Sequence, residues 1–200
     1  TLQDEDEWVD EMREPYRTQS WKLIEENSQY IDAFISVSEY YSELFKKRVS
    51  VPDNKISVVF NSICLTDMNS KPEIADHTIG YMSKINSIYG ADILFDAFLI
   101  LKKEEQNKKL KLKFTGGYTD DHKKVVKAIK KKIKQNGLEE DVIFHDRFCS
   151  EGKEDFLKSV SIMCVPSRRK GGFGMFLLEA FANEIPAVMP EHGAYPELIN

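Results

Sequence analysis

The sequence predicts an α/β fold built on a parallel β-sheet. Short apolar or alternating segments with the composition of strands are followed by longer segments in which apolar residues recur at helical spacing, and this order repeats along the chain. Strands that alternate with helices in this way pair in parallel. With 200 residues, of which 42% are hydrophobic, the chain can bury a core in one large domain or two small ones.

The chain opens on an acidic segment, in which seven of the first 14 side chains are Asp or Glu. Clustered aspartates suggest a metal site, but we interpret this segment as a solvated acidic lead-in, because runs of charge are usually solvated. Residues 15–30 then predict a helix with Trp21, Leu23 and Ile24 on its apolar side.

Strands and helices alternate from there to the end of the sequence. Ser38 fits the N-cap of the first helix of this series. A polar segment with a proline at residues 66–76 predicts a linker that divides the series into two sets. Strands are predicted at residues 33–38, 55–61, 77–83, 110–117, 141–146, 161–167 and 185–190. Helices are predicted at residues 39–48, 90–106, 120–137 and 153–160, with two more that begin near residues 175 and 195.

Composition argues against several classes of protein. The formal net charge is −5, with −9 on the first 100 residues and +4 on the last 100, so neither half has the basic excess of a nucleic-acid-binding protein. No apolar run approaches the length of a membrane span, and no signal peptide opens the sequence. The three cysteines lack paired spacing and are interpreted as reduced thiols of a cytosolic protein. The four histidines lack metal-ligand spacing, so no metal is expected.

Ligands of open parallel sheets bind beyond the carboxyl ends of the strands, which directs attention to the loops after residues 83, 117, 146 and 167. The last of these loops, Arg168–Gly174, carries three bases and three glycines before an apolar helix. Glycines let a ligand approach the backbone, and a helix start offers free N–H groups with a positive dipole end. This combination favours a phosphate. An ordinary glycine-rich turn with solvated bases is the alternative.

Single residues near these loops are further candidates. Glu179 lies in the apolar helix after the glycines, so it is paired, or turned to a wet cleft where it accepts hydrogen bonds from sugar hydroxyls, or exposed on an amphipathic surface. Lys84 is the one cation in the loop after residue 83, where it suits a phosphate, although a solvated lysine is the simpler interpretation. Gly116 and Gly117 form either a ligand-facing loop or a plain turn.

The helix predicted at residues 120–137 contains seven lysines, and Val125, Ile129 and Ile133 lie on one of its faces. We prefer the interpretation that the lysines form a solvated outer face over a narrow apolar stripe. The alternative is that Lys123–Lys134 holds the protein against an anionic membrane surface.

Three segments carry a resemblance to a known family. They are IDAFISVSEYYSELF with ISVVFNSI, then IGYMSKINSIYGADILFDAFLIL, then VPSRRKGGFGMFLLEAFANEIPAVMPEHGAYPELI. In this order they resemble glycosyltransferase family 4, a retaining family of group 1 glycosyltransferases with the two-domain GT-B architecture. The resemblance covers nearly the whole chain, and its last segment is specific.

The resemblance implies the Rossmann-like parallel sheet of a GT-B C-terminal domain, preceded by the end of the N-terminal domain. Residues 1–72 then correspond to the C-terminal part of the N-terminal, acceptor-side domain with the linker. Residues 73–200 correspond to most of the nucleotide-sugar-binding C-terminal domain. We therefore expect a piece of a longer protein, inactive by itself, that is cytoplasmic, with a peripheral location at the inner membrane face as the alternative.

The resemblance also implies a nucleotide-sugar donor, UDP- or GDP-linked, and a saccharide or lipid-linked acceptor of the kind used in polysaccharide biosynthesis. It implies no cofactor, no metal and no nucleic acid. Such enzymes neutralise the diphosphate leaving group with side chains and a helix terminus. Lys84 matches the usual Arg and is the catalytic candidate, and Glu179 matches the usual ribose-binding acid. The donor-site residues that the resemblance implies are Gly80, Ser83, Lys84, Gly116, Gly117, Arg147, Phe148, Gly171, Gly172, Phe173, Gly174, Met175 and Glu179.

Several donor-site positions depart from the family pattern. Tyr89 stands at the usual Lys, Gly171 at the usual first glutamate, and Ser62 at the usual Gly. Lys84 keeps the charge of the usual Arg but loses its bidentate fork. We therefore keep two hypotheses: an active glycosyltransferase with a modified donor site, and a catalytically degraded GT-B protein that acts as a binding or assembly partner. An epimerase or phosphorylase of GT-B fold is a third hypothesis, less supported because those enzymes lack this run of segments.

Overall fold

A computed structural model of the protein describes residues 1–64, 77–145 and 150–199, apart from the side chains of residues 121, 150 and 151. Contacts within the chain divide it into two units. Unit 1 comprises Thr1–Ser62, Lys170–Met175 and Glu191–Asn200, and unit 2 comprises Ile63–Arg169 and Phe176–Pro190. The linker predicted at residues 66–76, and with it the domain boundary predicted after residue 72, lies outside the described residues.

Strands and helices alternate as the sequence predicts, and the predicted α/β fold class is confirmed. The strands are β1 (Phe34–Ser36), β2 (Ile56–Val58), β3 (Thr78–Met82), β4 (Lys111–Thr115), β5 (Val142–Phe144), β6 (Ile162–Cys164) and β7 (Ala187–Val188). The helices are α1 (Glu5–Asp10), α2 (Tyr16–Ser28), α3 (Glu39–Lys46), α4 (Ala91–Leu101), α5 (Lys123–Gln135), α6 (Ser150–Leu157), α7 (Met175–Ala182) and α8 (Tyr195–Leu198).

Unit 2 is built on a five-stranded parallel sheet in the order β5-β4-β3-β6-β7. All five residues of the central strand β3 are buried, because helices cover both faces of a parallel sheet. Leu112 and Phe114 belong to a cluster with apolar side chains of α4 and α5. Met82 and Met163 belong to a second cluster with apolar side chains of α6 and α7. The sheet therefore has helices on both sides.

The strand order places a reversal beside β3. From β3 the chain continues to β4 and β5 on one side, and β6 and β7 then add on the other side. In such sheets, ligands bind at the carboxyl ends of the strands where the order reverses. The loops that follow β3 and β6 are therefore the first place to look for a site.

Unit 1 contains a two-stranded parallel sheet, β1 beside β2, and Leu2 adds a bridge to Ser36. Its buried cluster includes Phe34 and Phe45, whose ring centroids are 5.5 Å apart. The Ser38 hydroxyl accepts the Tyr41 N–H at 3.1 Å, so the predicted N-cap of α3 is confirmed.

The interpretation of the first residues as a solvated lead-in is wrong. They fold into α1, and Leu2 and Val9 are buried. The acidic side chains have partners far along the chain: Asp10 receives two hydrogen bonds from Arg48, each of 2.6 Å. These partners neutralise the charge that made the segment look solvated.

Smaller differences concern α5 and α6. On α5, Val126 is buried with Ile129 and Ile133, whereas Val125 is only half-buried. Helix α6 ends at Leu157, three residues before its predicted end, and the Val160 side chain packs beside Gly80. Over the described part of the chain, no helix combines the length and apolar character of a membrane span.

Candidate functional site

The loops after β3, β4 and β6 are joined at the carboxyl end of the unit 2 sheet. The loop after β3 donates the Ile85 N–H to the Gly117 carbonyl at 2.8 Å on one side. On its other side, its Ile88 carbonyl accepts the Arg168 N–H at 2.9 Å. The loop that carries Lys84 is therefore held between its two neighbours.

Two glycines permit this close approach. A Cβ atom at Gly116, whose φ is +113°, would lie 2.2 Å from the Ser83 carbonyl oxygen. A Cβ atom at Gly90, whose φ is +77°, would lie 1.9 Å from the Pro166 carbonyl oxygen. Only glycine fits either position. The Gly116 backbone thus lies against Ser83, and these two predicted donor-site residues are brought together.

Lys84 is exposed, and its backbone is held by the Tyr81 hydroxyl, which donates to the Lys84 carbonyl at 2.8 Å. The Lys84 ammonium lies 5.8 Å from the centroid of the Tyr89 ring, which packs at the edge of the apolar cluster. A cation at this distance is attracted by the face of the ring. Tyr89 therefore positions the lysine rather than adding a second charge.

His122 is a member of this loop cluster that sequence reasoning missed. Its Nε2 lies 3.3 Å from Nδ2 of Asn86, a residue only 2% exposed, and its Nδ1 lies 2.9 Å from the Thr119 hydroxyl. An amide Nδ2 can only donate, so Nε2 is the acceptor and Nδ1 carries the proton. His122 thus ties the loop after β4 to the loop after β3.

Arg168 is engaged within unit 2. Its guanidinium donates to both carboxylate oxygens of Asp92, at 2.8 and 3.0 Å, and to the Ser87 carbonyl. Burial raises the pKa of Asp92, but the Arg168 hydrogen bond and charge more than offset it and hold that pKa below its usual value. The charge of Arg168 is therefore paired with a protein carboxylate.

Glu179 is paired, one of the outcomes that the sequence left open. Its Oε1 accepts from the Lys153 ammonium of α6 at 2.7 Å, and its side chain is 16% exposed. Lys153 was not foreseen, because one lysine in a polar helix carries no sequence signal of its partner.

Gly80 lies inside β3, where a Cβ atom would be 2.9 Å from Val160. Packing alone therefore accounts for glycine at that position.

The predicted glycine turn belongs to unit 1. The Gly172 N–H donates to Asp4 Oδ1 at 2.7 Å, and the Gly172 carbonyl accepts from the Ser38 hydroxyl at 2.6 Å. A Cβ atom at Gly172 would lie 2.7 Å from that Asp4 oxygen and 2.8 Å from the Tyr41 ring. A carboxylate of the protein thus occupies the N–H group where the sequence predicts a phosphate.

Other residues of this turn contact further parts of unit 1. The Gly171 carbonyl accepts the Ala194 N–H at 3.0 Å, and a Cβ atom at Gly171 would lie 3.0 Å from the Tyr195 hydroxyl oxygen. The centroid of the Phe173 ring lies 6.3 Å from the centroid of the Phe60 ring. Gly174 and Met175 are half-buried at the start of α7.

Some buried polar atoms have no hydrogen-bond partner within the described part of the chain. Among them are Nδ2 of Asn61 and Nδ1 of His192 in unit 1, and Nε2 of His145 in unit 2. Buried polar groups are nearly always satisfied, so these atoms are candidates for contact with a ligand or water. His145 directly follows β5, at the edge that carries the three joined loops.

Arg147 and Phe148 lie outside the described residues, as does Cys149. Cys64 is exposed, and burial raises the pKa of the Cys164 thiol to about 11, which leaves it protonated. In residues 1–64, 77–145 and 150–199 there is no group of three or more acids, histidines and cysteines that could hold a metal.

Comparison with known proteins finds one family. The model of the family described as "Glycosyl transferases group 1" matches residues 68–200. Over 105 residues the chain is 30% identical to the mannosylfructose-phosphate synthase of Agrobacterium fabrum (strain C58 / ATCC 33970), which amounts to 52% of this chain and 23% of that protein.

Solved structures show the same fold. Anabaena Alr3699/HepE in complex with UDP superposes with a TM-score of 0.78 at 17% identity, over 91% of this chain and 51% of that one. A S. aureus TarM mutant in complex with fondaparinux, alpha-GlcNAc-glycerol and UDP superposes with a TM-score of 0.71 at 19% identity, over 91% of this chain and 35% of that one. The chain thus spans about half or less of each of these proteins.

Proposed function

The chain belongs to the group 1 glycosyl transferases, and from that premise we propose that the protein transfers a sugar from a nucleoside diphosphate sugar to a saccharide or lipid-linked acceptor. The donor is a UDP- or GDP-sugar, the reaction retains the anomeric configuration, and no metal takes part. The structural relatives were solved with UDP, and one of them also with fondaparinux and a glycosylated glycerol. These complexes support the donor and acceptor classes.

The observation that carries the proposal is the junction of three loops at the strand-order reversal of unit 2, with Lys84 exposed on its central loop. When the glycosidic bond breaks, negative charge gathers on the diphosphate leaving group. A lysine held on a rigid loop stabilises that charge without reorganising. Lys84 is therefore the proposed catalytic cation, and Ser83, Gly116 and Gly117 supply backbone contacts to the nucleotide.

Glu179 is proposed to bind the ribose. One of its oxygens accepts from Lys153, which fixes the carboxylate. A carboxylate has further lone pairs, and these can accept hydrogen bonds from the two ribose hydroxyls. Lys153 is thus proposed as the residue that orients Glu179.

The turn from Gly171 to Met175 stays a candidate for phosphate binding. Gly172 already donates its N–H to Asp4, so a phosphate there would have to take the place of that carboxylate. Arg147 and Phe148 stay candidates on the strength of the resemblance alone.

Calorimetry with UDP, GDP and their sugars, in buffer with EDTA, tests the donor site. We expect binding without metal, and about a 10- to 100-fold loss of affinity in Lys84→Ala, because a hydrogen bond to a charged group contributes about 1.5–3 kcal/mol. Lys103→Ala is the control, since Lys103 is exposed on the same unit. Failure of every nucleotide to bind, or equal affinities of the two variants, would contradict the proposal.

Transfer itself requires the longer parent protein and its acceptor. The anomeric configuration of the product, read by NMR, tests retention, and activity in EDTA tests metal independence. An inverted product would sink the retaining mechanism while leaving the donor site intact.

The second candidate function is a degraded glycosyltransferase that serves as a binding or assembly partner. It is favoured by Gly171, because a side chain there would meet the Tyr195 hydroxyl at 3.0 Å, and by Tyr89, whose ring packs against the core. The residues that replace the usual Lys and the usual Glu, Tyr89 and Gly171, are thus both part of the packing. Ordinary transfer rates of the unmodified parent would exclude this reading, whereas activity gained only with Tyr89→Lys and Gly171→Glu would support it.

A further inference from the structure

Helix α5 concentrates positive charge on an otherwise acidic protein. Its 13 residues contain seven lysines and no acid, while the whole chain has a formal charge of −5. Charge that is segregated in this way creates a local field that the net charge conceals.

The structure sorts these lysines into two sets. Three are engaged: Lys123 pairs with Asp120 at 2.6 Å, Lys132 pairs with Asp96, and the Lys130 ammonium lies 5.0 Å from the Phe144 ring centroid. These three lie at the flanks of the helix, and their charge is directed to the protein.

The other four lysines are exposed and have no ion-pair partner in the described part of the chain. Their spacing of three, four and three residues places them on one stripe about 15 Å long. The stripe consists of Lys124, Lys127, Lys131 and Lys134. Val126, Ile129 and Ile133 are buried on the opposite side, so the stripe is the outermost line of the helix.

Exposed apolar side chains lie on the adjoining helix. Asp96 of α4 pairs with Lys132 of α5, which fixes the two helices side by side. Seven residues apart on the outer face of α4, Ile93 is 38% exposed and Ile100 is 64% exposed. The outer surface of α4 and α5 therefore combines a lysine stripe with two exposed isoleucines.

We propose that this α4–α5 surface binds the headgroup region of an anionic lipid bilayer. Lysines near such a surface attract acidic lipids, and apolar side chains beside them enter the interface. A nucleic-acid partner fits less well. The two helices contain no Arg, and the phenylalanines of α4 are buried at Phe95 and Phe98, so no exposed aromatic ring is available for stacking. The proposal rests on this surface alone and is independent of the donor site.

Co-sedimentation of the protein with lipid vesicles tests the proposal. We expect binding to vesicles of phosphatidylglycerol and phosphatidylcholine in equal parts, little binding to phosphatidylcholine alone, and release at high salt, where charge is screened. The triple variant Lys124→Gln, Lys127→Gln and Lys131→Gln should bind about 100-fold more weakly, since each lysine at such a surface contributes about 1 kcal/mol. Gln keeps a helix propensity close to that of Lys, and circular dichroism checks the fold.

The matched control is Lys123→Gln, Lys130→Gln and Lys132→Gln, which removes the same charge from the same helix but spares the stripe. We expect the control to lose less than about tenfold in affinity, because its lysines are already engaged by the protein. Equal losses in the two triple variants would overturn the proposal, as would failure of the unmodified protein to bind acidic vesicles.

Two further experiments test the contribution of the exposed isoleucines and the alternative of a nucleic-acid partner. Ile93→Ser with Ile100→Ser should weaken vesicle binding while leaving its salt dependence unchanged, because only apolar contact is removed. Binding to duplex RNA by a protein that ignores acidic vesicles would assign the stripe to a nucleic-acid partner and refute the lipid proposal.

Discussion

Different interactions stabilise the interior of unit 1 and the interior of unit 2. Unit 2 is a five-stranded parallel sheet between two apolar clusters. Unit 1 has only two paired strands and is closed by hydrogen bonds that span more than 130 residues of sequence, such as the bond from Ser38 to Gly172. The stability of unit 2 therefore depends on apolar burial, and that of unit 1 depends in addition on a few polar contacts.

The two tryptophans provide a way to compare the units. Trp8 and Trp21 both lie in unit 1, so tryptophan fluorescence follows that unit while circular dichroism follows the whole chain. Variants in either unit can thus be judged by which of the two signals moves.

The largest effect is expected from Phe114→Ala in unit 2. Phe114 is fully buried, with its ring centroid 5.3 Å from that of Tyr81 and 5.2 Å from that of Phe144. Removing a buried Phe side chain costs about 3–5 kcal/mol of unfolding free energy, measured by urea unfolding followed by circular dichroism. Ile100→Ala, at a position 64% exposed, is the control and should cost about 0.5 kcal/mol or less. Equal losses would mean that the cluster does not govern unit 2.

The next effect is expected from Gly172→Ala in unit 1. Its backbone φ is not in the left-handed region, so the added methyl group acts only through its contacts with Asp4 and Tyr41. We expect a loss of about 2 kcal/mol, typical of overpacking, in urea unfolding followed by tryptophan fluorescence. In combination with Asp4→Ala the loss should be smaller than the sum of the two single losses. Strict additivity would show that Asp4 and Gly172 do not constrain each other.

A smaller effect is expected from Glu197→Gln, which also acts on unit 1. The Glu197 carboxylate accepts the N–H groups of Glu39 at 2.9 Å and Tyr40 at 2.7 Å, at the positive end of α3. An amide offers one acceptor oxygen instead of two and no charge, so we expect a loss of about 1.5 kcal/mol in the fluorescence transition. Glu191→Gln, at an exposed position of the same unit, should change nothing measurable. If Glu197→Gln is as stable as this control, Glu197 does not contribute to the stability of unit 1.

The two units also differ in how far the sequence predicts them. Unit 2 follows from local periodicity: the alternation of LKLKFT marks β4, where Leu112 and Phe114 are buried together with Thr115. Even there, the pairing of Glu179 with Lys153 was missed, because it joins two helices that no local pattern connects. Periodicity locates elements, but it does not reveal the partners of single charges.

The acidic first residues of unit 1 were misinterpreted for the same physical reason. The acids of the first residues look solvated until Arg48, Tyr41 and Gly172 are brought to them by folding. Burial raises the pKa of the Tyr41 phenol, so the hydroxyl stays protonated and donates to Glu5 at 2.9 Å. A donor that is 36 residues away leaves no mark in the local composition.

The smallest effect is expected from Asp10→Asn in unit 1, and it should depend on pH. Asp10 accepts two hydrogen bonds from Arg48 and one from the Trp21 indole at 3.0 Å. Burial raises the pKa of Asp10, but these hydrogen bonds and the Arg48 charge lower it by more, so the folded-state pKa lies below the usual value. The ionised carboxylate therefore stabilises the fold above about pH 4, and this contribution is lost as the pH falls through the lowered pKa.

The Asp10–Arg48 pair is more than a third exposed, with side chains at 37% and 36%, so solvent screening limits its contribution to about 0.5–1 kcal/mol. In urea unfolding followed by tryptophan fluorescence, Asp10→Asn should be less stable than the unmodified protein near neutral pH, and the difference should shrink in acid. Glu11→Gln, next along the chain and exposed, should show no such pH-dependent difference. A difference that stays constant from neutral to acid pH would mean that Asn loses shape complementarity rather than charge. The polar contacts that stabilise unit 1 would then be those of Gly172 and Glu197, and the charge of Asp10 would not contribute.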